Sequence, residues 1–299
     1  MQPGVEIEDT FAEVFIMLVG RILITANSEK WALISARTAT GFASSIIMSP
    51  AEAGIEGGTI PSSETPDGRP GVFIQVYQRS GHEWKAQMVR RIGQCILTCP
   101  TTAAFDGMPE AKKRIRIGRA VRMFGDGFER KEVLGDRTVW RIPVTEGDFL
   151  VEDRFGVKKA VAGGNFLIMA DSQDTGLQAA EKAIEAIRAV PGVILPFPGG
   201  VCRSGSKVGS RKYKLGASTN DRFCPKLRNT IAGSKVPIGV DSVYEIVFNG
   251  LSPSHLKKAT AAGIRAVIEA PGVRKITAVN FGGRLGPLKI HLKEALSSF

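Results

Sequence analysis

The tightest constraint on this chain is a repeat. Val190-Pro191-Gly192-Val193 and Ala270-Pro271-Gly272-Val273 are near-copies, and each joins a stretch of helical periodicity to an apolar stretch of strand composition. Leu177, Ala180, Ile184 and Ile187 mark a helix face before the first junction, and PGVILPF returns as a strand. Leu256, Thr260, Ile264 and Val267 precede the second, Ser252-Pro253 supplies an N-cap and first helical turn, and VRKITAVNF follows. GGNFLIMA and SVYEIVFNG are the strands upstream, and Gly199-Gly200 and Gly282-Gly283 close the two copies. The first half of the chain runs in the same order. ILITA, a helix with Trp31, Ile34 and Thr38 on one face, and SSIIMS form one passage; VFIQVY, a helix marked by Trp84, Met88, Ile92 and Cys95, and CILTCP form another. Two β-α-β passages in each half predict an α/β protein of the α+β type. Its two similar lobes are ferredoxin-like split βαβ units with mainly antiparallel sheets. The expected division is residues 1–150, an N-terminal lobe with hairpin insertions between 112 and 155, and residues 151–299, a C-terminal lobe.

Composition narrows the function classes. With 299 residues, 43% hydrophobic and 23% charged, the chain has an ordinary globular make-up. No apolar run reaches the length of a membrane span, and the start, MQPGVEIEDTF, lacks the layout of a signal peptide. A cytoplasmic protein without membrane contact is expected. The four cysteines are too sparse for a disulfide framework, and with three scattered histidines they offer no metal site. The net charge of +11 calls for something acidic nearby. The basic residues are dispersed, in KKRIRIGRAVR and SKVGSRKYK, and three tyrosines with three tryptophans make a thin stacking platform for bases. Nucleic acid is therefore not the expected partner, although a basic RNA-binding α/β protein stays as an alternative.

The chemistry-bearing stretch is DSVYEIVFNG, a strand with Glu245 set among valine, isoleucine, phenylalanine and tyrosine. An ionised carboxylate is costly there unless paired. Glu245 thus either has a partner across the fold or carries a raised pKa suited to proton transfer, and the residues alone leave both open. Asp67, Glu146 and Glu52 are rival carboxylates, and Glu52, at a strand end in SPAEAGIE, is a binding candidate. The loop GGVCRSGSKVG breaks the phosphate-loop pattern, because Lys207 stands one residue late and no hydroxyl follows it. It is either an anion-holding loop or a solvated basic one. No nucleophile elbow is present, and Cys202 and Cys224 read as inert.

PAEAGIE, ETPDGRPGV, RIGQC, MFGDG, EGDFLVED, AGGNF, PFPGG, SGSK, ASTND with FCP, YEIVFNGL and NFGGRLG occur in this order. Together they resemble the formylmethanofuran:tetrahydromethanopterin formyltransferase family from Gly4 to His291. The resemblance implies an acyltransferase of one-carbon metabolism that moves a formyl group between formylmethanofuran (or methylofuran) and N5 of tetrahydromethanopterin. These carriers act as substrates, with no permanently bound cofactor and no metal. It further implies a homo-oligomer or a subunit of a formyltransferase/hydrolase complex. Glu245 in YEIV matches the family's acid/base glutamate. Ser206, Lys207, Asn165, Asn220 and Arg284 fall on motif positions expected to bind substrate. The strong basicity departs from the acidic family members of methane-producing archaea and would suit a polyglutamate tail on the furan carrier or contact with other subunits. Ser49 stands where many relatives are expected to carry cysteine. A non-catalytic scaffold subunit of a formyltransferase/hydrolase complex is the alternative from another class.

Overall fold

The computed structural model describes residues 4–205, 207, 212–216 and 220–299. Two compact units emerge, one of residues 17–160 and one of residues 1–16 with 161–299. Both boundaries fall inside strands, β1 (Phe11–Thr25) and β9 (Phe155–Ala170), which run unbroken through them. Such long apolar strands leave no linker between lobes to be read from turn-forming residues.

In the 17–160 unit, β1 is followed by α1 (Glu29–Thr40), β2 (Glu52–Ile60), β3 (Gly71–Gln78), α2 (Gly81–Arg91) and β4 (Ala103–Asp106). These strands lie in the order β2-β3-β1-β4, with every neighbour antiparallel. That is the split βαβ arrangement the repeat predicts. Helix α1 closes on the sheet through a small-residue stripe, Ala32, Ala36 and Ala39. Helix α2 starts where Ser80 accepts a hydrogen bond from the Glu83 N–H. It buries Trp84 and Met88 against Ile22, Ile24 and Ile74. Gly20 admits that indole: a Cβ there would sit 2.5 Å from Trp84 Cζ2. After β5 (Lys113–Ile115), the strands β6 (Arg130–Leu134), β7 (Arg137–Val144) and β8 (Gly147–Glu152) form an antiparallel meander, and β8 pairs in parallel with β4.

Two segments expected as strands are not. SSIIMS forms turns, because the Ser49 hydroxyl binds the carbonyls of Ser45 (2.6 Å) and Ala51 (2.8 Å), leaving Ile47 and Met48 exposed. The strand begins three residues later, at Glu52. CILTCP continues α2 as a π-helical turn over Ile92–Ile96, which buries Ile92 and Ile96 before the chain reverses. An apolar run of this length fits either a strand or a buried helical end.

In the other unit, β9 is followed by α3 (Gln173–Arg188), two short pieces β10 (Val193–Ile194) and β11 (Val201–Cys202), β12 (Ser242–Gly250), α4 (Pro253–Arg265) and β13 (Val273–Thr277). Both short pieces pair with β12, β12 with β9, and β9 with β13, all antiparallel, so the strand order of the first unit recurs. PGVILPF supplies only Val193 and Ile194 to the sheet, since Pro196 and Pro198 have no N–H to donate. Glu6–Ile7 adds in parallel to β13, and β14 (Leu288–His291) pairs with residues 11–14 of β1.

The helices cover one face of this sheet. Ile184 and Ile187 of α3 and Leu256 and Ile264 of α4 pack on Phe166, Ile168, Ile246 and Phe248. Each such side chain contributes roughly 1.5–3 kcal/mol when fully buried. Leu177, expected on this face, is 41% exposed; Gly176 takes its place, close against Tyr244.

Candidate active site

Alternation along β12 decides where Glu245 points. Ile246 and Phe248 face the helices, and Tyr244 reaches back to donate to the Gln173 carbonyl at 3.2 Å. Val243, Glu245 and Val247 therefore face the opposite side. Register pairs extend a row across four strands: Cys202 of β11, Glu245 of β12, Leu167 of β9 and Thr277 of β13. Val243 on this face is covered by Phe223, Val236 and Val240, together with Met169. Glu245 itself is half-buried. Burial drives its pKa from the ordinary 4.5 up to about 7, against a smaller lowering from a hydrogen bond with the Cys202 thiol. Burial, together with the facing carboxylate, raises the Cys202 thiol pKa in turn, so this cysteine is a neutral donor.

Other carboxylates of the chain meet different fates. Glu56 takes Arg21 at 2.6 and 2.8 Å and the Gln75 amide at 2.6 Å. Glu152 binds Arg137 at 2.6 Å and Arg114 at 3.0 Å. Asp106 accepts the N–H groups of Met108 and Gly156 and lies 3.0 Å from Arg114. Asp67 is held by Thr25 and Arg69, and Glu146 accepts the Thr101 N–H. Among the described residues Glu245 has no cation within ion-pair distance.

Asn165 pairs in register with Val247, which puts it on the same face as Glu245. Its amide is spent on the backbone: it donates to the carbonyls of Gly163 and Val279 and accepts the Val279 N–H at 2.9 Å. It anchors the chain that leads into NFGGRLG. That glycine-rich run is organised by Glu13, a buried residue of β1 whose carboxylate accepts the N–H groups of Phe281, Gly283 and Leu285. Gly282 and Gly283 adopt positive φ, and a Cβ on Gly286 would meet the Val14 backbone at 2.8 Å, so the run follows β1 closely. Arg284 projects from it, exposed, with its Nε on the Phe281 carbonyl.

Asn220 donates to the Ser204 hydroxyl, tying the start of the 220 segment to the serine-glycine loop, while its own Oδ1 is buried without a hydrogen-bond partner. Lys207 is half-buried on that loop; Ser206 lies outside the described residues. Glu52 belongs to the 17–160 unit, where it accepts the Ile46 N–H at 3.3 Å. Cys202 and Glu13 escaped the sequence reading, which took Cys202 as inert. Glu13 in FAEVF carries the same signal as Glu245, a carboxylate inside an apolar strand. Among the described residues no group of three or more His, Cys, Asp or Glu could hold a metal ion.

Fold and site together define a duplicated ferredoxin-like α+β protein whose second unit carries a desolvated carboxylate of near-neutral pKa. The family described as formylmethanofuran-tetrahydromethanopterin formyltransferase matches residues 1–144, and the one described as FTR, proximal lobe, matches residues 147–295. The chain is 54% identical to the formylmethanofuran–tetrahydromethanopterin formyltransferase of Methanopyrus kandleri over 97% of this chain and 98% of the relative. Its fold is similar to the solved enzyme of Methanosarcina barkeri, with a TM-score of 0.94 and 49% identity over 99% of this chain and 100% of that one. It is also similar to a chain of the formyltransferase/hydrolase complex of Methylorubrum extorquens with methylofuran, at a TM-score of 0.92 and 44% identity over 98% and 97%. The chain belongs to the formylmethanofuran–tetrahydromethanopterin formyltransferase family and is a transferase of formyl groups between these carriers.

Proposed function

We propose that Glu245 shuttles the proton in this transfer. The furan carrier holds the formyl group on an amine nitrogen, and N5 of tetrahydromethanopterin attacks the formyl carbon. As the N5–C bond forms, the Glu245 carboxylate takes the proton from N5 and the carbonyl oxygen becomes an oxyanion. As the intermediate collapses, the C–N bond to the furan carrier breaks, and the carboxylic acid returns the proton to that leaving nitrogen. Proton and charge balance, and the reverse transfer uses the same steps. A group with a pKa near 7 suits both roles. The observation that carries the reading is the contrast among buried carboxylates: arginine or backbone donors stabilise the others, and Glu245 has a neutral thiol.

Lys207, Ser206, Asn220, Arg284 and Glu52 are proposed as carrier contacts. The unpartnered Asn220 Oδ1 supports a ligand hydrogen bond at that position. Asn165 acts by fixing the chain ahead of NFGGRLG. The furan carrier is formylmethanofuran or its methylofuran counterpart, the reaction is cytoplasmic, and the working form is a homo-oligomer or a subunit of a formyltransferase/hydrolase complex. The free state of all four cysteines agrees with a reducing compartment. Purified Glu245→Gln, assayed beside the wild type with formylated carrier and tetrahydromethanopterin, tests the shuttle. Turnover unchanged per folded molecule would sink it.

A further inference from the structure

The 17–160 unit contains a cavity of about 780 Å3 with an unusual wall. The run KKRIRIGRAVR supplies Arg114 from β5, then Arg116, Arg119 and Arg122 on or beside the short helical turn Gly118–Val121. Lys131 of β6, Arg137 of β7 and Arg154 complete seven cationic side chains, facing three carboxylates. Those carboxylates are already committed in two cases. Glu152 is neutralised by Arg114 and Arg137, and Asp153 accepts the Trp140 indole N–H at 2.7 Å. Arg116 and Arg119 are exposed and make no hydrogen bond or ion pair with any described residue.

Asp106 and Glu129, outside the wall, pair with Arg114 and Arg122 and leave an excess of two positive charges, whose field the low-dielectric walls focus. The wall is built from guanidinium groups, which fork onto carboxylate and phosphate oxygens in pairs. The volume falls within the range of small-ligand sites, about 300–1,000 Å3. The one aromatic ring in the wall, Trp140, is already covered by Arg122, whose guanidinium carbon lies 4.6 Å from a ring centroid. Lys131 Nζ also lies 5.8 Å from a Trp140 ring centroid, so the ring is already engaged by cations rather than by a base. We propose that this cavity binds a small oligoanion carrying two or more phosphate or carboxylate groups, with Arg116 and Arg119 as the principal contacts. This site is independent of the proton shuttle at Glu245.

Calorimetric titration of the full chain with tripolyphosphate and, separately, with a hexaglutamate peptide, both at low salt, tests it. The expected result is one-to-one binding of at least one probe, weakened tenfold or more by Arg116→Glu/Arg119→Glu and by added salt. Binding of tripolyphosphate alone assigns a phosphate ligand, and of hexaglutamate alone a carboxylate chain. Because both arginines are exposed, the double variant should keep the wild-type circular dichroism and melting temperature. If neither probe binds, or the folded variant binds as tightly as wild type, the proposal fails. A short RNA binding more tightly than both probes, with loss in the same variant, would overturn it in favour of nucleic acid.

Discussion

Cys202 stands opposite Glu245 in the antiparallel pairing of β11 with β12, and its thiol hydrogen-bonds the glutamate carboxylate. The hydrogen bond favours the charged form while burial opposes it more strongly, leaving the carboxyl at about 7. This balance makes the group responsive to pH where the reaction runs. With the carboxylate as the proton acceptor, turnover should rise about tenfold per pH unit below about 7 and level off above it. Glu245→Gln should lose that limb and fall roughly a hundredfold in kcat, with KM for either carrier little changed. A kcat–pH profile of both proteins decides; a pH-independent wild type would refute the assignment.

The same shift has a signature in stability. A carboxyl whose pKa rises from 4.5 to about 7 on folding binds its proton more tightly in the native state. Between those values the folded protein holds more protons than the unfolded one, so this group's contribution falls as pH rises. Above about pH 7 the native state carries the full penalty, up to about 3 kcal/mol by linkage. Glu245→Gln should therefore be more stable than wild type at alkaline pH, with the advantage fading towards pH 5. Urea midpoints at several pH values measure this directly. An advantage that does not change with pH would point to packing instead.

Much of this was legible in the sequence. The two β-α-β passages read in each half predicted two units of one design, and both units show the same strand order. The β-branched and aromatic residues around it put Glu245 on a strand. The failures have common physical causes. SSIIMS and CILTCP were short apolar runs whose fate was set elsewhere, by the Ser49 hydroxyl in one case and by continuation of α2 in the other. Cys202 gained its meaning from a strand pairing across forty residues of chain, and local composition carries no trace of that. Glu13 carried a readable signal, but its partners lie at the far end of the chain.

Cys202 offers a finer test than removal of the carboxylate. Cys202→Ala deletes the donor that lowers the Glu245 pKa, so the acid limb of the kcat profile should move upward. Cys202→Ser keeps a donor in nearly the same volume and should leave the limb close to that of wild type. A change in plateau rate with no movement of the limb in the alanine variant would mean that the thiol acts through packing alone.

Glu13 makes a different kind of prediction. Its carboxylate satisfies the N–H groups of Phe281, Gly283 and Leu285 in a glycine-rich run that holds two positive-φ residues. No other buried carboxylate described here is fed by three backbone donors of one loop. Glu13→Ala would leave those donors without their partner, at about 1–3 kcal/mol for each that water cannot reach. The loop should lose its single conformation, and Arg284 its position. The expected outcome is a lower melting temperature, faster amide exchange over residues 280–286, and a raised KM with kcat much less affected. Glu13→Gln keeps an acceptor oxygen and should recover most of the stability. Unchanged exchange in the alanine variant would show that the loop holds its shape without the carboxylate, and the organising role of Glu13 would fall.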